Sequence, residues 1–181
     1  WPEDESLLSL PSNPAARSGF LTVATQASST FPLRVKSGSY EKICQAIDEG
    51  KRPAPTAVHL EEMINYFTYN YPAPVGSEPV SVNLEAASCP WSGLHRLVRI
   101  GLRAHAGQNA AEALDHARIE VIFNRETVQA YRLLGYDNST GSSQFTGPEA
   151  EYTLRGGDQV TALYEVIPAG QNANPTTEKL L

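Results

Sequence analysis

The chain has 181 residues, 41% of them hydrophobic, which suffices for one domain with a real core plus tails. Fourteen Lys and Arg against 20 Asp and Glu leave a formal charge of −6, which gives no electrostatic grip on nucleic acid or an anionic membrane surface. No run approaches the roughly 18 apolar residues of a membrane span. The text opens on Trp1 without a basic region or apolar signal segment, so it reads as a processed chain or a fragment. Cys44 and Cys89 are too few for a disulfide framework and lack the paired spacing of a zinc site, which leaves a single bridge open.

Residues 1–30 carry Pro2, Pro11, Pro14 and many small polar residues, with no sustained period, and are expected to be a flexible leader. In "TFPLRVK", Phe31, Leu33 and Val35 alternate with Pro32, Arg34 and Lys36, as in a half-buried edge strand. "SGSYEKICQAIDEG" predicts a short amphipathic helix, with Ser39 as N-cap, Glu41 in the first turn, Tyr40, Ile43 and Ile47 on one face, and Gly50 as the stop. After "KRPAP", Thr56 can cap a second helix running to about Phe67. Period-two alternation then predicts strands through Val80, Val82 and Leu84, through Val98, Ile100 and Leu102, and through Ile119, Val121 and Phe123, each with one face in a core. "VQAYRLLGY" and "DQVTALYEVIP" supply two more, the latter with Val160, Ala162, Tyr164 and Val166 on one face and "RGGD" as the turn before it. Residues 171–181 read as a tail.

In "HLEEMINYFTYNYP", Leu60, Met63, Ile64 and Phe67 form an i, i+3, i+4, i+7 stripe, the mark of a core helix. Glu61 and Glu62 point about 100° apart on it, so they do not converge as an acid and base, and read as its solvated face. His59 and Glu62 lack a third ligand for a metal. Two candidate surfaces remain: Tyr66, Tyr69 and Tyr71 as an aromatic platform, and Arg99 with Arg103 on one strand face as an anion patch. The ordinary reading of both is structural, with rings buried and guanidinium groups solvated. His105 and His116 have no nucleophile or carboxylate placed beside them by a motif. No G-x-S-x-G, phosphate loop or H-E-x-x-H occurs, so neither a catalytic residue nor a cofactor or metal ligand is expected.

"AVHLEEMINYFTYNYPAP" with "SCPWSGLHRLVRIGL" resembles the N-terminal flanking region of bacterial extracytoplasmic proteins that carry a von Willebrand factor type A domain, often lipoproteins. "ARIEVIFNRETVQAYRLLGYDN" and "VTALYEVIPAG" resemble the region that follows that domain. The resemblance covers about 31–104 and 117–170. In the family a complete type A domain, with a metal-holding D-x-S-x-S loop, stands between the two regions; here only a linker at 105–116 does. "DNSTGSS" from Asp137 has Gly141 where the second Ser belongs, and the acidic text ahead of the family's first helix appears as "RVKSGSY".

The resemblance implies an α+β fold with a β-sandwich-like core and two short N-terminal helices, one β-rich domain over 31–170 assembled from both flanks. It further implies a non-catalytic interaction or scaffold module of the cell envelope, without the metal-dependent adhesion site and with an unspecified protein partner. The alternative is a small-ligand binder or cryptic enzyme using Tyr66, Tyr69 and Tyr71.

Overall fold

A computed structural model describes residues 19–31, 33, 38–106, 119–135 and 154–170. In chain order the elements are β1 (Leu21–Thr22), β2 (Ser28–Phe31), α1 (Gly38–Asp48), α2 (Leu60–Tyr66), β3 (Val80–Cys89), β4 (Ser92–Ala104), β5 (Ile119–Ile122), β6 (Val128–Leu133) and β7 (Gln159–Pro168). The fold is α+β. Five strands form an antiparallel sheet in the order β1-β6-β7-β4-β3, while β2 and β5 pair as a separate antiparallel ribbon.

The period-two strands of the sequence are present, and their pairing gives each face a job. Val160, Ala162, Tyr164 and Val166 of β7 lie opposite Leu102, Ile100, Val98 and Arg96 of β4. With Tyr131 and Leu133 of β6, the apolar members of this face join one buried cluster that also takes in Phe31 of the ribbon and Val23. Ile119, Val121 and Phe123 pack against the same cluster, so the ribbon lies on this face of the sheet. The Phe31 ring meets Tyr164 edge-on at 6.5 Å and the Tyr164 hydroxyl donates to Ser29 Oγ at 3.1 Å. A described strand, β1, therefore lies at Leu21–Thr22, inside the segment that composition assigns to a leader. That segment's residues 1–18, the tail at 171–181, "DNSTGSS", and most of both the 105–116 linker and "TFPLRVK" lie outside the described residues.

The helices cover part of the other face. α1 ends as Gly50 predicts: at φ +69°, its N–H bonds Ile47 O at 2.9 Å while Lys51 N–H bonds Ala46 O at 2.8 Å, a two-bond closure that needs a left-handed residue. Its start differs from expectation. Ser39 lies within the helix, its Oγ is buried without a partner, and its N–H is taken by Glu62 Oε2 at 2.9 Å. A carboxylate from α2 thus occupies the positive end of α1, in the place a local cap would fill.

Three further expectations are corrected. Thr56 sits in a separate 3₁₀ turn, Pro55–Ala57, and α2 starts after His59 without a side-chain cap. The stripe on α2 is not a core stripe: no residue of the helix is fully buried and Phe67 is 53% exposed. With only seven residues, the helix lies along the sheet's margin, where Glu61 and Glu62 are partly covered and Leu60 is not. Ile47 of α1 is likewise exposed, as are Val82 and Leu84 of β3.

Candidate interaction site

The site is built on the second face of β4, whose odd-numbered residues face away from the ribbon. Gly101 is the reason that a ring can lie there. A Cβ at this position would stand 2.1 Å from Tyr71 Cζ, so only glycine lets the phenol rest on the sheet. Tyr71 is buried, and its hydroxyl pairs with Thr161 Oγ1 at 2.9 Å on the neighbouring strand. Arg103 Nη1 donates to the Tyr71 carbonyl at 2.6 Å and Ser81 Oγ to that of Pro72 at 2.7 Å, pinning the chain after α2 onto β3 and β4.

Asn65 completes the anchorage. β6 pairs with β7 only from Tyr164 onward, which leaves the backbone of Thr161 without a strand on that side. The Asn65 carboxamide supplies what the strand does not, donating Nδ2–H to Thr161 O at 2.9 Å and accepting Thr161 N–H on Oδ1 at 2.8 Å. The other end of α2 is held down at Gly135, whose φ of +91° and missing Cβ leave room for the Glu61 backbone.

Tyr69 stacks on Tyr71 with centroids 5.5 Å apart, and the Arg99 guanidinium lies over both rings at 5.7 and 5.5 Å. Arg99 also pairs with Glu85 directly across the β3–β4 ladder. Its Nε is buried without a partner, so stacking and the single ion pair are what hold this charge. The Tyr69 hydroxyl donates to Ile64 O at 3.0 Å; burial, then Tyr71, pushes that phenol above its ordinary range against the pull of Arg99. It stays a neutral donor at physiological pH.

Of the five residues singled out from the sequence, Tyr69, Tyr71, Arg99 and Arg103 are brought together. Tyr66 is not: it stacks on Tyr40 at 4.2 Å and meets Phe67 edge-on, on the far side of α2. His59 lies 3.6 Å from Glu61, not on Glu62. Burial raises the Glu61 carboxyl, and its Oε2 has no hydrogen-bond partner. Cys44 and Cys89 are both free.

A second polar cluster went unread in the sequence. Glu165 of β7 has no exposed surface, and it accepts from His95 Nδ1 at 2.5 Å and from Arg132 Nε and Nη2 at 2.8 and 2.6 Å. Burial pushes its carboxyl up, but the bonds from His95 and Arg132 and the Arg132 charge outweigh that and hold it below the ordinary carboxylate value. Phe20 closes the cluster, edge-on to His95 at 5.4 Å and beneath Arg132 at 4.7 Å. The signal was present: "YRLL" and "LYEV" each set one charge inside an otherwise apolar strand, and opposite charges in two such strands call for adjacent pairing. Among the described residues, no three His, Cys, Asp or Glu side chains gather as a metal site.

Comparison with known proteins finds matches in two stretches of the chain. A family model described as von Willebrand factor matches residues 13–99, and one described as the C-terminal region of the uncharacterized protein YfbK matches 111–180. The uncharacterized protein YfbK of Escherichia coli (strain K12) is 32% identical over 92 residues, 45% of this chain. The chain spans 16% of that relative's length. No solved structure matches. With the two regions matched in order along one chain, the comparisons support a relation to von Willebrand factor type A-related bacterial proteins.

Proposed function

We propose that this chain is a non-catalytic interaction module of the bacterial cell envelope, the part of a von Willebrand factor type A-related protein that presents the type A domain. In this reading the five-stranded sheet and the ribbon are two layers of one β-sandwich-like unit, and residues 105–116 hold the place in the sequence where longer relatives carry the inserted domain. Leu102 and Ala104 before that place and Ile119 after it all pack into or against one cluster, as the ends of an interrupted unit should.

The observation that carries the reading is the Tyr69, Tyr71, Arg99 and Arg103 corner. The Tyr69 and Tyr71 hydroxyls and the Arg103 guanidinium are bonded within the fold, while Arg99 and its partner Glu85 keep an outer side in water. Such a rigid aromatic and arginine surface suits protein contact, where these residue types concentrate binding energy. The same bonds weigh against the small-ligand or enzymatic alternative, because Tyr69 and Tyr71 have no hydroxyl to spare and Tyr66 faces elsewhere.

The test is a photo-crosslinking residue at Asn70, exposed beside the tyrosines, in the full-length protein produced in its bacterium. An adduct with an envelope protein is expected, weakened by Arg99→Glu and absent with the probe moved to Ile122 on the ribbon. Adducts confined to cytoplasmic proteins, or turnover of a small substrate lost on Tyr69→Phe, would overturn the proposal.

A further inference from the structure

Glu61 is the one carboxyl among the described residues with a buried oxygen that nothing bonds. It stands in the first turn of α2, where an ionised acid is ordinarily favoured. Yet its side chain is only 18% exposed, and Oε2 lies against Gly135, 3.0 Å from where a Cβ would stand. Burial pushes the carboxyl above the ordinary carboxylate range. Its own backbone N–H and His59, 3.6 Å away, pull the other way without making up the difference, and Glu62 adds to the push. His59 and Glu62 are the charges that bear on it, both from its own segment. α1 meets α2 here through the Ser39 N–H on Glu62, and the sheet meets it through Gly135 and the Thr161 backbone, so among the described residues neither brings an ionisable group to Glu61.

We propose that α2 is a pH-sensitive latch: with Glu61 protonated it is seated on the sheet, and with Glu61 ionised it is loosened. An ionised carboxylate whose buried oxygen has no donor has lost hydration without replacement. Two things relieve it, a proton or water admitted at Gly135 as the helix lifts. Lifting reaches the far end because the helix is only seven residues long and one side chain ties its ends together. Asn65 Nδ2 donates both to Glu61 O and to Thr161 O at 2.9 Å, while Asn65 Oδ1 accepts the Thr161 N–H at 2.8 Å. The sign follows from linkage. A carboxyl raised in the seated state binds its proton more tightly there, so seating is favoured at low pH and that preference is lost as pH rises through the raised value. The Tyr69 hydroxyl donates to Ile64 O of the same helix, so a loosened α2 also loosens the Tyr69 and Tyr71 corner. The latch itself does not depend on what that corner binds.

The Thr161 N–H is the reporter, because its acceptor is on α2 and not on a neighbouring strand. In hydrogen exchange of the full chain followed by NMR and corrected for the intrinsic rate at each pH, its protection should fall roughly threefold or more between about pH 4.5 and about pH 8. Amides of the β3–β4 ladder should keep theirs, and the Glu61 carboxyl carbon should titrate above the ordinary value of about 4.3. Glu61→Gln has the shape of the protonated acid and should hold Thr161 at its low-pH protection throughout. His59→Lys sets a permanent cation beside the carboxylate and should reduce the pH dependence with Glu61 in place; it serves alone if the glutamine variant misfolds. Thr161 protection that tracks the β3–β4 amides at every pH would mean that the ionised side chain swings into water and leaves the helix seated, which would overturn the proposal. A pH dependence unchanged in both variants, or a carboxyl titrating at or below the ordinary value, would overturn it equally.

Discussion

β3 and β4 share the longest ladder among the described residues and the same alternating pattern, yet their paired residues differ sharply. Leu102 is 1% exposed and its partner Val82 is 60% exposed; Ile100 is 4% exposed and its partner Leu84 is 71% exposed. One ladder step, about 4.8 Å, separates core from surface. The ribbon of β2 and β5 covers β6, β7 and β4 and leaves β3 bare. Alternation thus says which residues share a face, and a non-local layer decides whether that face is covered.

The largest expected effect lies on the face turned away from the ribbon, at its most polar point. Glu165→Ala removes the acceptor of two buried or nearly buried cations, His95 when protonated and Arg132, and should cost roughly 3–5 kcal/mol in urea unfolding. The pH dependence follows from the depressed carboxyl. Its contribution is present above the unfolded-state value of about 4.3 and is lost as pH falls through the lower folded value. Wild-type stability should therefore fall on acidification in a way that Glu165→Ala no longer shows; parallel pH profiles would mean that the carboxylate is not held by this cluster.

How far the sequence discloses these differences depends on whether the cause is local. The strands β4, β6 and β7, the glycine stop of α1 and the turn before β7 were all readable, because each rests on period, a left-handed position or turn chemistry within a few residues. Asp158 N–H bonds Arg155 O at 3.0 Å in that last turn. What failed was non-local. The capping of α1 by Glu62, the strand-like pairing of Asn65 with Thr161, the burial of Val23 and the contact of Phe20 with His95 all join residues far apart in the chain. The site was half legible: the tyrosines and arginines were named, but only the fold shows that Gly101 seats Tyr71 and that Tyr66 belongs to another cluster.

Gly101 gives the next sharpest test, since it compares two glycines on one strand. Gly101→Ala drives a methyl group into the Tyr71 ring and should cost roughly 1–3 kcal/mol, more if the ring cannot shift. Gly93, in the same β4 with nothing within 4 Å of its would-be Cβ, should accept alanine at no more than about 0.5 kcal/mol. Equal effects would show that Tyr71 does not rest on Gly101. On the helical margin, Phe67→Ala should cost about 1 kcal/mol, well below the 3–5 kcal/mol of a core aromatic, because half of its surface is already in water.

The smallest effect bears on the comparison itself. Leu84→Ala removes an isopropyl group that is mostly in water and should change stability by no more than about 0.5 kcal/mol. Leu102→Ala takes the same group from beneath the ribbon and should cost roughly 2–5 kcal/mol, since the transfer term is joined by a cavity that surrounding strands cannot close. The two residues sit on the same face of adjacent strands and carry the same side chain, so chemistry and propensity cancel in the difference. What remains is the covering layer. If Leu84→Ala proved as costly as Leu102→Ala in denaturant melts, a further segment of this chain would have to lie over β3.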